Sequence, residues 1–238
     1  MKNNLNILIT GASRGIGNAI TQKISWRAKK LFMTSHYRDR LDSALLDIKK
    51  ACVGETYGLN IEQAFGEQAA NEVLEWIESK TDWLDVLILC GGDFIEGDLC
   101  TISNKDFNCT LQTNFMFNYY LVKQLVPILK RSKCPRIIII GSTASYSAYF
   151  VPSYGVAKWA LRGLAVNLRE ELSKDNIGVT FLSPGGTLTD MWSDVNVPEN
   201  RLLEPEDIAK TVNCILDLSG QAVVEELIIR PMLGDYYG

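Results

Sequence analysis

The sequence predicts an α/β protein built on one doubly wound parallel sheet of about seven strands, with helices on both faces. Three observations predict it. Short apolar, β-branched runs alternate with amphipathic stretches from one end of the chain to the other. Runs such as Ile137–Ile140 are apolar on both faces, as a parallel strand covered by helices on both sides must be. Residues able to carry chemistry follow these runs directly, at the sheet edge where such sheets bind ligands. The 238 residues, 47% hydrophobic and 22% charged, can bury a sizeable core, and we read them as a single domain over 1–238.

The first strand is expected at Leu5–Ile9, a run too short for the apolar part of a secretion signal. Thr10–Gly17 then sets glycines at 11, 15 and 17, opening an amphipathic stretch over 15–27. Glycine permits a tight turn and close approach of backbone to phosphate. The helix start adds unpaired N–H groups and a partial positive charge. Gly11, Ser13, Arg14, Gly15, Ile16 and Gly17 are therefore expected to hold a dinucleotide pyrophosphate; an ordinary glycine-containing turn is the alternative. The second strand, Lys30–Thr34, runs into Ser35-His-Tyr-Arg38 with no acid to accept from a ribose 2′-hydroxyl. A 2′-phosphate is then tolerated, and Arg14 and Arg38 each offer it a guanidinium fork. The expected cofactor is NADP(H), with NAD as the alternative.

A helix over 40–50, a strand at Val53–Leu59 ending beside Asn60, a helix over 61–80 and a strand at Leu84–Cys90 follow. The second half continues with a helix over 104–131, a strand at Arg136–Gly141, a helix over 153–174 and a strand at Ile177–Leu182. After the loop at Pro184 come a helix over 205–218 and a strand at Glu225–Arg230. Tyr154 and Lys158 lie four residues apart on a predicted helix and project from one face. A free phenol has a pKa of about 10. An ammonium beside it favours phenolate, so Tyr154 is expected to be acidified and to pass a proton at a carbonyl or alcohol oxygen.

The spacing T-G-x-x-x-G-x-G in Thr10–Gly17, with Asn114, Ser142, Tyr154 and Lys158 in order, resembles the short-chain dehydrogenase/reductase family over the whole chain. The resemblance implies a single-domain, Rossmann-like oxidoreductase in which these four residues are catalytic. By it, Ser142 orients the substrate oxygen, with Thr143 and Ser145 as alternative hydroxyls. Asn114 supports a bent helix and a water, and Lys158 also holds the nicotinamide ribose. His36 stands where many NADP-using relatives carry Arg, and Asn60 where an acid meets adenine. Pro184, Gly185, Thr187 and Thr189 belong to the loop over the nicotinamide. Cys90, Gly91 and Gly92 follow the fourth strand, but Leu89 and Cys90 replace two asparagines, so the side-chain bonds bracing that turn are expected to be missing.

The expected substrate pocket offers Tyr146, Tyr149, Phe150, Met191 and Trp192, with a lid over 190–203. It suits a small, partly apolar carbonyl or secondary alcohol. A homodimer or homotetramer through the helices 104–131 and 153–174 is expected. A net charge of −4 argues against a nucleic-acid partner, and no run approaches the roughly 20 apolar residues of a membrane helix. Six cysteines without C-x-x-C pairing suggest reduced thiols and a cytoplasmic location, Cys90 among them as a small hydrophobe. One histidine and no ligand cluster argue against a metal. The competing reading is a non-catalytic, NADP(H)-sensing binding protein on the same fold.

Overall fold

The strands are Leu5–Ile9 (β1), Ala28–Ser35 (β2), Glu55–Asn60 (β3), Val86–Leu89 (β4), Arg136–Ile140 (β5), Gly178–Pro184 (β6) and Glu226–Ile229 (β7). In this computed structural model, which describes residues 3–61, 66–93, 95–193 and 195–236, they form one sheet in the order β3-β2-β1-β4-β5-β6-β7. Every pairing is parallel. The chain winds outward from β1 to β3, returns across the centre, and winds outward again from β4. That reversal opens a crevice at the carboxyl ends of β1 and β4.

Alternation along the central strands divides the core into two layers. Leu8, Leu87, Ile137, Ile139, Val179 and Phe181 face α3 (Glu67–Glu78), α5 (Phe117–Leu129) and α6 (Pro152–Ser173). Ile7, Ile9, Val86, Ile88, Ile138, Ile140 and Leu182 face α1 (Gly15–Ile24), α2 (Arg38–Ala51) and α7 (Pro205–Asp217) on the other side. α4 (Asn104–Leu111) precedes α5. Each fully buried aliphatic side chain contributes about 1.5–3 kcal/mol, so these strands supply much of the driving force for folding. Local signals start the helices: Ser103 Oγ accepts from Asp106 N at 3.0 Å at the start of α4, and Pro152 and Pro205 occupy first turns where no N–H is needed.

The helix expected over 104–131 is interrupted. Between α4 and α5, Gln112–Met116 forms a wider π turn. Buried amides support it: Asn114 Nδ2 donates to Thr110 O at 3.0 Å and to Asp93 O at 2.5 Å, and Asn118 Nδ2 donates to Asn114 O at 2.9 Å. Periodicity read over the whole stretch did not separate the two helices from the wider turn that joins them. The stretch 15–27 also ends early, with α1 passing into a 3₁₀ turn at Ser25–Arg27. The stretch 61–80 is helical from Glu67, its residues 62–65 lying outside the described part.

Candidate active site

A cleft of about 430 Å³ runs along the carboxyl edge of the sheet. At one end is the turn after β1. Gly11 has φ +63°, and a Cβ there would lie 2.9 Å from Gly91 Cα, so the β1 and β4 turns touch backbone to backbone. Thr10 locks them together, its Oγ1 accepting from Cys90 N at 3.0 Å and Gly91 N at 3.1 Å. The expectation that the β4 turn lacks side-chain bracing is therefore corrected: the brace comes from the neighbouring strand. No side chain caps the start of α1 and no acid stands in its first turn, so its N–H groups are left for an anion. Gly11, Ser13, Arg14, Gly15, Ile16 and Gly17 all line the cleft, as do Cys90, Gly91, Gly92, Pro184, Gly185, Thr187 and Thr189. The exposed backbone and bare helix start fit a dinucleotide pyrophosphate.

Ser142, Tyr154 and Lys158 meet at the middle of the cleft. The end of β5 places Ser142, which starts a 3₁₀ turn by accepting from Ala144 N at 3.2 Å. Its hydroxyl also hydrogen-bonds the Tyr154 phenol. Lys158, one turn further along α6, lies with Nζ 5.3 Å from the Tyr154 ring centre and 3.4 Å from Ile140 O, to which it donates. Behind them, Asn114 is buried without lining the cleft, and a Cβ on Gly92 would come within 2.8 Å of its Oδ1 and 3.6 Å of Lys158 Nζ. Among the described residues Asn114 Oδ1 has no hydrogen-bond partner. Of the alternative hydroxyls, Thr143 lines the cleft and Ser145 does not.

The expected acidification of Tyr154 is also corrected. Burial dominates and raises its pKa to about 12, against the lowering effect of the Ser142 hydrogen bond. Burial likewise lowers Lys158 to about 8 and raises the Cys90 thiol to about 12. A low-dielectric cleft favours the neutral form of each group, and an ammonium 5.3 Å from the ring centre does not reverse this at the phenol. Cys90 is therefore a protonated thiol at neutral pH.

At the adenosine end, His36 lines the cleft with Nδ1 3.0 Å from Ile61 O. Ser35 Oγ lies 2.6 Å from Ser13 Oγ and accepts from Tyr37 N at 3.0 Å, so the position that would carry an acid instead joins two loops. Arg38 is not where the sequence placed it. Its side chain points into solvent and pairs with Asp42 at 3.3 Å, because the first turn of α2 turns it away. Arg40, two residues further along α2, lines a hollow beside the cleft instead. Its guanidinium lies 5.3 Å from the Tyr37 ring centre, beside that of Arg14 at 5.1 Å. Asn60 ends β3 but does not line the cleft; Ile61 does.

At the far end, Tyr149 and Trp192 line the cleft and the Tyr149 ring lies tilted against that of Tyr154, their centres 5.6 Å apart. Tyr146 does not line it. Its hydroxyl donates to Glu226 Oε2 at 3.1 Å under the Arg162 guanidinium, which turns the ring toward β7. The Met191 side chain lies outside the described part. Sequence reasoning missed Asp235 and Tyr236, which fold back from the C-terminus onto the cleft. Arg201 holds that tail by donating to Gly234 O at 2.8 Å and Asp235 O at 3.0 Å. No local motif signals such a contact. Among the described residues no helix is long and apolar enough to cross a membrane, and no group of three or more His, Cys, Asp or Glu could hold a metal.

A family model described as short chain dehydrogenase matches residues 5–200. Sepiapterin reductase of Chlorobaculum tepidum is 29% identical over 240 residues, covering 96% of this chain and 97% of that protein. A metagenomic short-chain oxidoreductase solved with NADP is 25% identical, with a TM-score of 0.83 over 97% of this chain and 98% of that one. An alcohol dehydrogenase from the archaeon Thermococcus sibiricus, complexed with 5-hydroxy-NADP, shares the fold with a TM-score of 0.88 at 24% identity, covering 98% and 99%.

Proposed function

The chain belongs to the short-chain dehydrogenase family, and on that premise we propose that it interconverts a carbonyl and a secondary alcohol on a small, partly apolar substrate using NADP(H). One observation carries the reading. Ser142, Tyr154 and Lys158 converge on the same cleft that ends at the glycine turn and the bare N-terminus of α1.

Gly11, Gly15 and the first N–H groups of α1 would hold the pyrophosphate. Thr187 and Thr189 would hold the nicotinamide end. A bound nicotinamide supplies the hydride. Ser142 donates to the substrate oxygen and fixes its distance from Tyr154. The phenol, held protonated by burial, gives its proton to that oxygen as negative charge develops there. Lys158 places positive charge beside the phenol and so stabilises the phenolate left behind. Asn114, whose buried Oδ1 lies beside Lys158 and Gly92, would hold a water through which the proton is returned. Tyr149 and Trp192 supply apolar walls, with 190–203 as the lid. Arg14 supports NADP over NAD, as does the absence of an acid at Ser35.

Tyr119, Val156, Trp159 and Val166 are exposed apolar side chains on α5 and α6, and they support a homo-oligomer through those helices. We place the protein in the cytoplasm on its unpaired thiols and treat 1–238 as one catalytic unit. A non-catalytic cofactor sensor would have no need of Ser142 beside Tyr154 and Lys158, so we do not favour it. The test is a carbonyl panel that includes sepiapterin, the compound for which the Chlorobaculum tepidum relative is named, followed by NADPH and NADH absorbance in parallel. The expected result is NADPH-dependent reduction of at least one small carbonyl. Binding of NADPH with no turnover across the panel and its alcohol counterparts would favour the sensor.

A further inference from the structure

Arg40 and Asp190 form a contact that neither the fold nor the proton-transfer group requires. One carboxylate oxygen, Asp190 Oδ2, lies 2.7 Å from Arg40 Nη1 and 3.7 Å from Arg14 Nη1. Arg40 comes from α2, Arg14 from the glycine turn, and Asp190 from the 3₁₀ turn Asp190–Trp192 that follows β6. Both guanidiniums lie against Tyr37, which fixes where their remaining N–H groups point. Arg14, Tyr37 and Asp190 line the cofactor cleft, and Arg40, Arg14 and Asp190 line a hollow continuous with it. Asp190 thus offers an oxyanion to two guanidiniums at the adenosine end, where a ribose 2′-phosphate would sit.

We propose that Arg40 sets the cofactor preference jointly with Arg14, and that Asp190 is an internal competitor for the same two guanidiniums. A 2′-phosphate is a dianion with three acceptor oxygens, so it engages both forks better than a single carboxylate oxygen does. Its binding takes Arg14 and Arg40 from Asp190 and releases the start of the 190–203 segment. NADH carries no such phosphate and leaves the Asp190 contact intact. The segment over the nicotinamide end is in this way coupled to the adenosine end of the cofactor. The inference rests on the NADP(H) reading given above.

The pair is exposed enough for substitution without unfolding, with side chains of Arg40 and Asp190 about half accessible. The experiment titrates wild type, Asp190→Asn and Arg40→Gln with NADPH and with NADH, reading bound-cofactor fluorescence, with thermal melting as a folding control. Removing a half-exposed competing charge is expected to tighten NADPH about fivefold and to leave NADH within about twofold. Arg40→Gln is expected to weaken NADPH about tenfold or more, again sparing NADH. If wild type prefers NADPH but Asp190→Asn leaves its affinity unchanged, or Arg40→Gln weakens both cofactors equally, the competitor inference fails and the cofactor reading stands. If wild type binds NADH as tightly as NADPH, both fail together.

Discussion

At Tyr154 and Lys158 the residue types match the family pattern while their ionisation follows from burial. Tyr154→Phe keeps the ring and removes the proton. Turnover should fall by about 10²–10⁴-fold while NADPH affinity stays within about threefold, measured by steady-state rates and cofactor fluorescence. Retained turnover would remove Tyr154 from the chemistry. The pH dependence follows from the signs of the shifts. Lys158, lowered to about 8, is charged below that pH and neutral above it, while Tyr154, raised to about 12, keeps its proton throughout. Reductive kcat/KM should therefore be level below about pH 8 and decline above it as the ammonium is lost. Lys158→Arg, which stays charged, should remove that decline, and an unchanged profile in the variant would assign it elsewhere. Tyr154 and Lys158 were legible in the sequence because their spacing sets one helix face. Their pKa values were not, since desolvation depends on what else surrounds the cleft. Arg38 and Arg40 make the same point: both are plausible phosphate ligands in one dimension, and the direction of α2 decides between them.

Among the elements, the turns after β1 and β4 work as one unit. Thr10 joins them by accepting two backbone N–H groups, which Thr10→Val would leave unsatisfied at a cost of about 1–3 kcal/mol. Thermal or denaturant unfolding should show that loss together with weaker NADPH binding; a change in stability alone would separate the brace from the cofactor site. Gly92 is a second sensitive point. A Cβ there would meet Asn114 Oδ1 at 2.8 Å, inside the π turn, so Gly92→Ala should lower activity more than it lowers stability. The glycine pattern exposed the β1 turn to sequence reading. The Thr10 brace was hidden because its partners lie 80 and 81 residues away. The family resemblance pointed to a bend at Asn114, but that the bend is a π turn was hidden, because an amphipathic stripe records which residues are apolar, not whether each backbone bond closes at the same interval.

Over the whole molecule, exposed Trp159, Val156 and Val166 on α6 and Tyr119 on α5 leave an apolar surface that the proposed homo-oligomer would cover. Trp159→Glu should shift the protein to a smaller species in size-exclusion chromatography with light scattering, while leaving the buried Lys158 and its neighbour Tyr154, which point to another face of the helix, in place. An unchanged mass would place the interface elsewhere. The alternation of strands and helices and the single parallel sheet followed from local pattern. Each strand is an apolar run, each connection carries an amphipathic helix, and parallel strands joined in this way wind with one hand. The glycine turn and the Tyr154–Lys158 spacing were determined by the sequence itself, because each depends on residues within a few turns of one another. Only the tertiary structure decided that Arg40 meets Asp190 beside the cleft while Arg38 pairs with Asp42, that Tyr146 belongs to the Glu226–Arg162 cluster, and that Asp235 and Tyr236 line the cleft. Those outcomes depend on the direction of side chains carried by distant segments, and that direction exists only once the layers have packed.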